Sequence, residues 1–299
     1  MEIRVLKYFL AIAREGSITA AANSLHLTQP TLTRQIQELE KELGQKLLIR
    51  GKQHITLTAE GMILRKRAEE IVDLAEKTEA EFHSINETIG GDIYIGSGET
   101  DSMKYIAEVL KELQEEYPLI KFHIHSGNAE DVTEKLDKGL LDFGILIQPI
   151  NLSKYDYMTL PEKDVWGVIM RKDSPLAKRE FVELKDLMGV PIIASRQMSR
   201  KYSAESGFLD WFGDEFEKIN ITATYNLVYN AAIMVKAGLG YAVTLDKLAN
   251  TSSESEICFR PLYPRLESGL DLVWKKYQVF SPAAGLFLEK CKQKFLQKQ

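Results

Sequence analysis

Between Thr28 and Gln35 stand seven residues whose side chains could read a DNA duplex: Thr28, Gln29, Pro30, Thr31, Thr33, Arg34 and Gln35. Arginine and glutamine end in forked hydrogen-bonding groups that match guanine and adenine edges in the major groove. Threonine hydroxyls and the Gln29 amide suit phosphates and bases at a helix start. Pro30 fits the first turn of a helix, where a missing backbone N–H costs nothing. A second set follows at Arg50, Lys52 and His54, within a stretch from Leu47 to Thr58 that alternates enough to form a short hairpin. Two full positive charges and an imidazole in such a wing are placed to hold backbone phosphates. A plainer reading stays open for the helix, since any amphipathic helical cluster carries polar residues on its outside.

A third set suits a small ligand. Thr100, Asp101 and Ser102 open a helix after the expected strand Ile93 to Ser97; Ser126, Gly127 and Asn128 follow a second strand; Ser195, Arg196 and Gln197 follow a third. Strand ends and helix N-termini offer N–H groups to a cleft, and these side chains add hydroxyls, amides and one guanidinium, a set that fits a carboxylate. Glu99 and Asp101 would equally favour a cationic or polar neutral ligand, and the hydroxyls and Asn128 could simply cap helices and turns. Catalytic patterns are weak. Gly96-Ser97-Gly98 lacks the third glycine of a dinucleotide fingerprint and the lysine of a P-loop. His123 and His125 share one strand face without a third ligand, so neither metal nor cofactor is expected. Cys258 and Cys291 read as ordinary buried thiols.

These residues need elements to hold them. Gly16 ends a first helix with Leu6, Phe9, Leu10 and Ala13 inward; Ser17 caps a second that offers Ala21, Ala22 and Leu25; His26 and Leu27 turn the chain. Thr28 then caps the third helix through its hydroxyl, Leu32, Ile36, Leu39 and Leu43 form its buried stripe, and Gly44 closes it. That leaves Thr31, Arg34, Gln35 and Glu38 on the outer face. Farther on, Leu64, Ala68, Ile71, Ala75, Thr78, Phe82, Ile85 and Ile89 alternate steps of four and three, a heptad seam that predicts pairing with another helix. Gly90-Gly91 releases the chain into alternating strands and helices. Strands are expected at Ile93–Ile95, Ile120–His125, Phe143–Ile147, Val165–Met170, Ile192–Ser195 and Ala223–Leu227, and near Phe259 and Leu272–Trp274, with helices at Phe208–Phe216 and from Ala283. Such βαβ order implies a mostly parallel sheet.

The stretch from Met1 to Gly61 resembles the winged helix-turn-helix of LysR-type transcriptional regulators. The resemblance rests on Tyr8-Phe9-Leu10-Ala11, Gly16-Ser17-Ile18-Thr19-Ala20-Ala21-Ala22, Leu25-His26-Leu27-Thr28-Gln29-Pro30, Leu32-Thr33-Arg34-Gln35-Ile36, Leu39-Glu40 and Leu43-Gly44. Leu48 stands where the family usually has phenylalanine, and Gln53 and His54 where it has arginine and glycine, which makes Lys52 the substitute phosphate contact in the wing. Looser motifs extend the likeness: Leu141-Asp142 with Gly144-Ile145, Asp173-Ser174-Pro175-Leu176-Ala177, and Val235 with Ala237-Gly238-Leu239-Gly240. The resemblance implies an α/β chain with a winged helix-turn-helix over 1–58 (helix-turn-helix 18–37), a coiled-coil linker helix over 59–89 and an effector-binding domain over 90–299. That domain would resemble a type 2 periplasmic binding protein, with lobe I at 91–163 and 268–299 and lobe II at 164–267. It further implies a homodimer or homotetramer on an interrupted inverted repeat of double-stranded DNA, a small-molecule effector between the lobes, and RNA polymerase as a partner.

The net charge of −5 opposes nucleic-acid binding if the whole chain is summed. Locally the balance reverses, because the stretch from Met1 to Gly61 sets Arg4, Lys7, Arg14, Arg34, Lys41, Lys46, Arg50 and Lys52 against Glu2, Glu15, Glu38, Glu40, Glu42 and Glu60. So small an excess predicts modest affinity per head and dependence on several heads engaging together. No apolar run long enough to span a membrane and no signal-peptide pattern appear, so a cytoplasmic location is expected. Two other classes remain open: an enzyme or small-molecule-binding protein on an α/β scaffold with an accessory DNA-binding head, and a DNA-bridging protein without ligand control. The length of the α/β half argues against the second.

Overall fold

A computed structural model describes residues 1–51, 54–84, 90–196 and 211–296. It divides into two compact units, Met1–His83 and Ser84–Gln299. The first holds α1 (Ile3–Glu15), α2 (Ile18–Ser24), α3 (Gln29–Leu43), the hairpin β1 (Leu48–Arg50) and β2 (Ile55–Leu57), and α4 (Ala59–Ser84). Gly16 adopts a φ of 61° to end α1, and the Ser17 hydroxyl accepts from the Ala20 N–H to begin α2. The inner face of α1 centres on Val5, Leu6, Phe9, Ala11 and Ile12, while Leu10 and Ala13 are only half-buried.

Two expectations for α3 need correction. Thr28 occupies the cap position, yet its hydroxyl pairs with that of Thr31 at 2.8 Å and makes no bond to the helix backbone. Leu32, Ile36 and Leu39 are buried, but Leu43 is 39% exposed and the inward residue of the last turns is Glu40. The chain reverses at Gly44, and the returning strand β1 lies over Glu40, whose carboxylate takes the Leu47 and Leu48 N–H groups at 2.9 and 3.4 Å.

The seam expected on α4 is divided as well. Leu64, Ala68 and Val72 pack into the head's own core, and Lys7 pairs with Glu76 at 2.7 Å. Ile71, Leu74 and Phe82 are exposed, as are Met62 and Ile63; Ile85 and Ile89 lie outside the described residues. A repeat of steps of four and three cannot distinguish a helix with one partner from a helix shared between its own core and an open face.

The second unit has two lobes. Lobe I is a sheet of order β4-β3-β5-β14-β6, formed by β3 (Gly91–Ser97), β4 (Ile120–Ser126), β5 (Phe143–Ile147), β6 (Tyr155–Thr159) and β14 (Leu270–Lys275). Its helices are α5 (Met103–Glu116), α6 (Ala129–Asp137) and α9 (Pro282–Leu296). Lobe II has the order β10-β9-β11-β7-β12-β8, from β7 (Asp164–Arg171), β8 (Val182–Glu183), β9 (Ile192–Ser195), β10 (Ile221–Tyr225), β11 (Tyr241–Leu245) and β12 (Ile257–Tyr263), with β13 (Glu267–Ser268) on β7. Its helices include α7 (Leu184–Leu187) and α8 (Val228–Lys236). Separate apolar cores serve the lobes, one around Ile95, Phe143, Leu272 and Phe287, the other around Val168, Ile192, Phe212 and Val243.

Each sheet is mixed rather than mostly parallel. β3, β4 and β5 run parallel, as do β9, β10 and β11, whereas β14 and β7, strands beside the crossings between lobes, enter antiparallel to β5 and β11. β10 begins two residues before the expected Ala223, and Leu227 is the cap of α8, not strand. The helix expected through Phe216 is α-helical at Trp211 and Phe212 and continues as a 3-10 helix over Gly213–Lys218, with Gly213 at φ 55° where the two meet; residues 208–210 lie outside the described residues. Cys258 and Cys291 are free and buried. Among the described residues no helix is long and apolar enough to cross a membrane.

Candidate nucleic-acid interface and effector cleft

The outer face of α3 carries a polar row held in separate hydrogen-bonded groups. The Gln29 amide donates to the Thr33 hydroxyl at 2.8 Å, the Arg34 Nε donates to Glu38 Oε1 at 2.9 Å, and the Gln35 Nε2 donates to Glu38 Oε2 at 3.3 Å. Thr28, Gln29, Pro30, Thr31, Arg34 and Glu38 are exposed, and Thr33 and Gln35 half-buried. These bonds join side chains three and four positions apart, the spacing that a helix makes neighbours. They therefore order the row without fastening it to the core.

The wing stands beside the α1–α2 corner, since the Ile55 N–H donates to the Gly16 carbonyl at 2.8 Å. Its turn closes tightly: the Gly51 N–H donates to the His54 carbonyl at 3.0 Å, and a Cβ on Gly51 would come within 2.6 Å of that oxygen. Arg50 pairs with Ile55 in the hairpin and His54 is exposed, while Lys52 and Gln53 lie outside the described residues.

The cleft lies between the lobes of the second unit and contains about 420 Å³ of empty space, part of it open to solvent. Asn128, Ser195 and Arg196 line it, together with Glu99, Trp166 and Thr244. Asn128 also caps α6, its Oδ1 accepting from the Asp131 N–H at 2.9 Å. The buried Thr244 hydroxyl has no hydrogen-bond partner of ordinary geometry among the described residues. Gln197 lies outside the described residues.

Thr100, Asp101 and Ser102 are not among the residues that line this cavity, and their side chains have partners within the protein. Thr100 and Ser102 are buried and both donate to Asp164, Ser102 to its Oδ1 at 3.0 Å and Thr100 to its Oδ2; the Thr100 oxygen also accepts from the Ser102 N–H at 3.0 Å. Asp164 begins the strand that leads into lobe II, so these hydroxyls are spent inside the protein. Burial pushes the Asp164 carboxyl above the ordinary value for aspartate, although the two hydroxyls act against it. Asp101 pairs with Lys104 at 3.0 Å and with Lys247 of lobe II at 3.1 Å, and these lysines, Lys104 foremost, hold its carboxyl low. Glu99 reaches across the cleft to accept the Val228 N–H at the first turn of α8. Residues 99–102 thus form a clasp between lobes.

Residues 86–296 match the family described as the LysR substrate binding domain, and residues 3–62 match that described as the bacterial regulatory helix-turn-helix protein, lysR family. The chain belongs to the LysR family. It is a DNA-binding transcriptional regulator with an effector-binding domain. Among its relatives is the uncharacterised HTH-type transcriptional regulator YvbU of Bacillus subtilis (strain 168), 29% identical over 297 residues that make up 99% of each chain. The HTH-type transcriptional regulator BsdA of the same organism is 30% identical over 223 residues, 74% of each chain. The fold is shared with full-length CbnR solved in complex with its target DNA, at a TM-score of 0.74 and 22% identity, covering 98% of this chain and 99% of that one.

In this LysR-family regulator, sequence reasoning passes over two carboxylates that organise the sites. Glu40 is visible only as part of a family motif, and its burial follows from the reversal at Gly44. Asp164 carries no signal at all, because its partners lie more than 60 positions away.

Proposed function

We propose that α3 enters the major groove, with Arg34 and Gln35 meeting base edges and Thr28, Gln29, Thr31 and Thr33 meeting phosphates and neighbouring bases at the helix start, where Pro30 fixes the entry. The wing residues Arg50, Lys52 and His54 hold the phosphate backbone. Two heads joined through the exposed apolar face of α4, as a homodimer or within a homotetramer, read an interrupted inverted repeat. The observation that carries this reading is the exposed, mutually ordered row on α3 in a head of this family. A cytoplasmic location and contact with RNA polymerase follow from the same reading.

A small effector sits in the cleft against Asn128, Ser195 and Arg196 and changes how the lobes are held. A carboxylate-bearing molecule fits, since Arg196 offers a cation and the α8 N-terminus already seats the carboxylate of Glu99. Sequencing of genomic fragments retained by the purified protein tests the DNA assignment. Enrichment of an inverted repeat, lost in Arg34→Ala with the oligomer intact, is the expected result. Unchanged footprints in that variant would refute the groove assignment.

A further inference from the structure

The carboxylate of Glu38 lies at the C-terminal end of the α3 face proposed to meet DNA, bonded to Arg34 and Gln35, where a negative charge opposes binding to phosphate. Between Thr28 and Glu38 the only charged residues are Arg34 and Glu38, so the face carries no net charge. Any contribution it makes to binding must then come from directed hydrogen bonds. Nor does the pair serve stability. The Arg34 and Glu38 side chains are 79% and 54% exposed, and an open ion pair of this spacing adds little.

What the carboxylate does fix is direction. Arg34 gives its Nε–H to Glu38 Oε1, which occupies the side edge of the guanidinium and leaves the end-on pair of Nη groups for a bidentate partner. Gln35 gives its Nε2 to the other oxygen, Oε2. A carboxylate can only accept, so it sorts the two ends of the amide: the nitrogen faces Glu38, and the oxygen with the second N–H is left for another partner. An end-on guanidinium complements guanine O6 and N7, and an amide offering one oxygen and one N–H complements adenine N6 and N7. One carboxylate thus sets two neighbouring reading groups in a single arrangement.

We propose that Glu38 is a positioning residue for base readout, holding Arg34 end-on towards a guanine and Gln35 oxygen-outward towards an adenine. This rests on the groove assignment made above for α3. The test is selection from a random DNA library with the full-length protein, followed by measured affinities for the selected site and its single-base variants. In Glu38→Ala the preference for the guanine read by Arg34 should fall about ten-fold, while affinity for unrelated DNA rises because a repelled carboxylate is gone. Glu38→Gln keeps an acceptor for the Arg34 Nε–H and should restore much of the guanine preference, but its own amide can meet Gln35 from either end and should leave the adenine preference weak. A folded Glu38→Ala protein with wild-type preferences at every position, or one that has lost all DNA binding, overturns the proposal. Arg34→Ala is measured alongside: if it keeps the wild-type preferences, the groove assignment has failed and not merely the role of Glu38.

Discussion

The head and the clasp each turn on a buried carboxylate, and their surroundings treat the two in opposite ways. Glu40 in the head meets Lys46 at 2.8 Å and two backbone N–H groups, and its carboxyl lies below the ordinary value; burial raises it, but the lysine and the N–H groups outweigh that. Asp164 beneath the clasp meets two hydroxyls and, among the described residues, no cation at hydrogen-bond distance, and burial prevails. The burial of an acid therefore does not determine its charge; the kind of donor beside it does. A cation and amides secure an anion, whereas neutral hydroxyls adapt to either protonation state by rotating.

Removal of the acceptor under the clasp should have the largest effect. Asp164→Ala leaves two buried hydroxyls without their partner and should cost the second unit about 3 kcal/mol in denaturant unfolding. A loss below about 0.5 kcal/mol would mean that the clasp is not anchored there. Acid titration should then separate the two sites by sign. Glu40 has a folded value below its ordinary 4.5, so its stabilisation is present above that pH and is lost as pH falls through the lower folded value. Asp164 has a folded value above its ordinary 3.8, so the folded state holds the proton more tightly and this contribution grows as pH falls through the raised value. Hydrogen exchange followed from neutral pH into the acid range should show the Glu40→Gln change flattening the head's response and Asp164→Asn flattening that of the clasp. Responses of the same sign in both would undo the contrast.

Smaller effects should divide the cleft from the clasp. Ser195→Ala should weaken the response to an effector several-fold and leave stability within about 0.5 kcal/mol, while Thr100→Ala should do the reverse, costing about 1 to 2 kcal/mol with effector affinity retained. Calorimetric binding and melting of both variants would expose an exchange of these roles. Least of all, Lys247→Ala opens an exposed pair with Asp101 and should cost no more than about 0.5 kcal/mol.

Much of this is legible in the residues. Gly16, Ser17, Pro30 and Gly44 mark the head because capping and chain reversal depend on local chemistry. The main strands of the second unit can be read from their apolar runs, but β6 cannot, since Tyr155-Asp156-Tyr157-Met158-Thr159 buries only Tyr155 and Met158. Of the cleft candidates, Asn128, Ser195 and Arg196 can be placed by the rule that ligands gather at strand ends. Thr100 and Ser102 obey that rule equally well and turn away, because a strand more than 60 positions later supplies a stronger partner than any solvent-facing cleft. Local rules find polar residues; they do not say which acceptor the folded chain will bring to them. The seam on α4 shows the same limit, as its period is read along one helix but its use depends on what packs against it.

β14 joins β5 to the edge strand β6 in the lobe I sheet, yet it starts at Leu270, with the whole of lobe II standing between it and the end of β6 at Thr159. A ribosome must therefore release every strand of lobe II before lobe I can close. During synthesis β5 and β6 wait, each with an edge unpaired, while the strands of lobe II are made after them, so the segment that opens with Leu270 acts as a lock on material made long before.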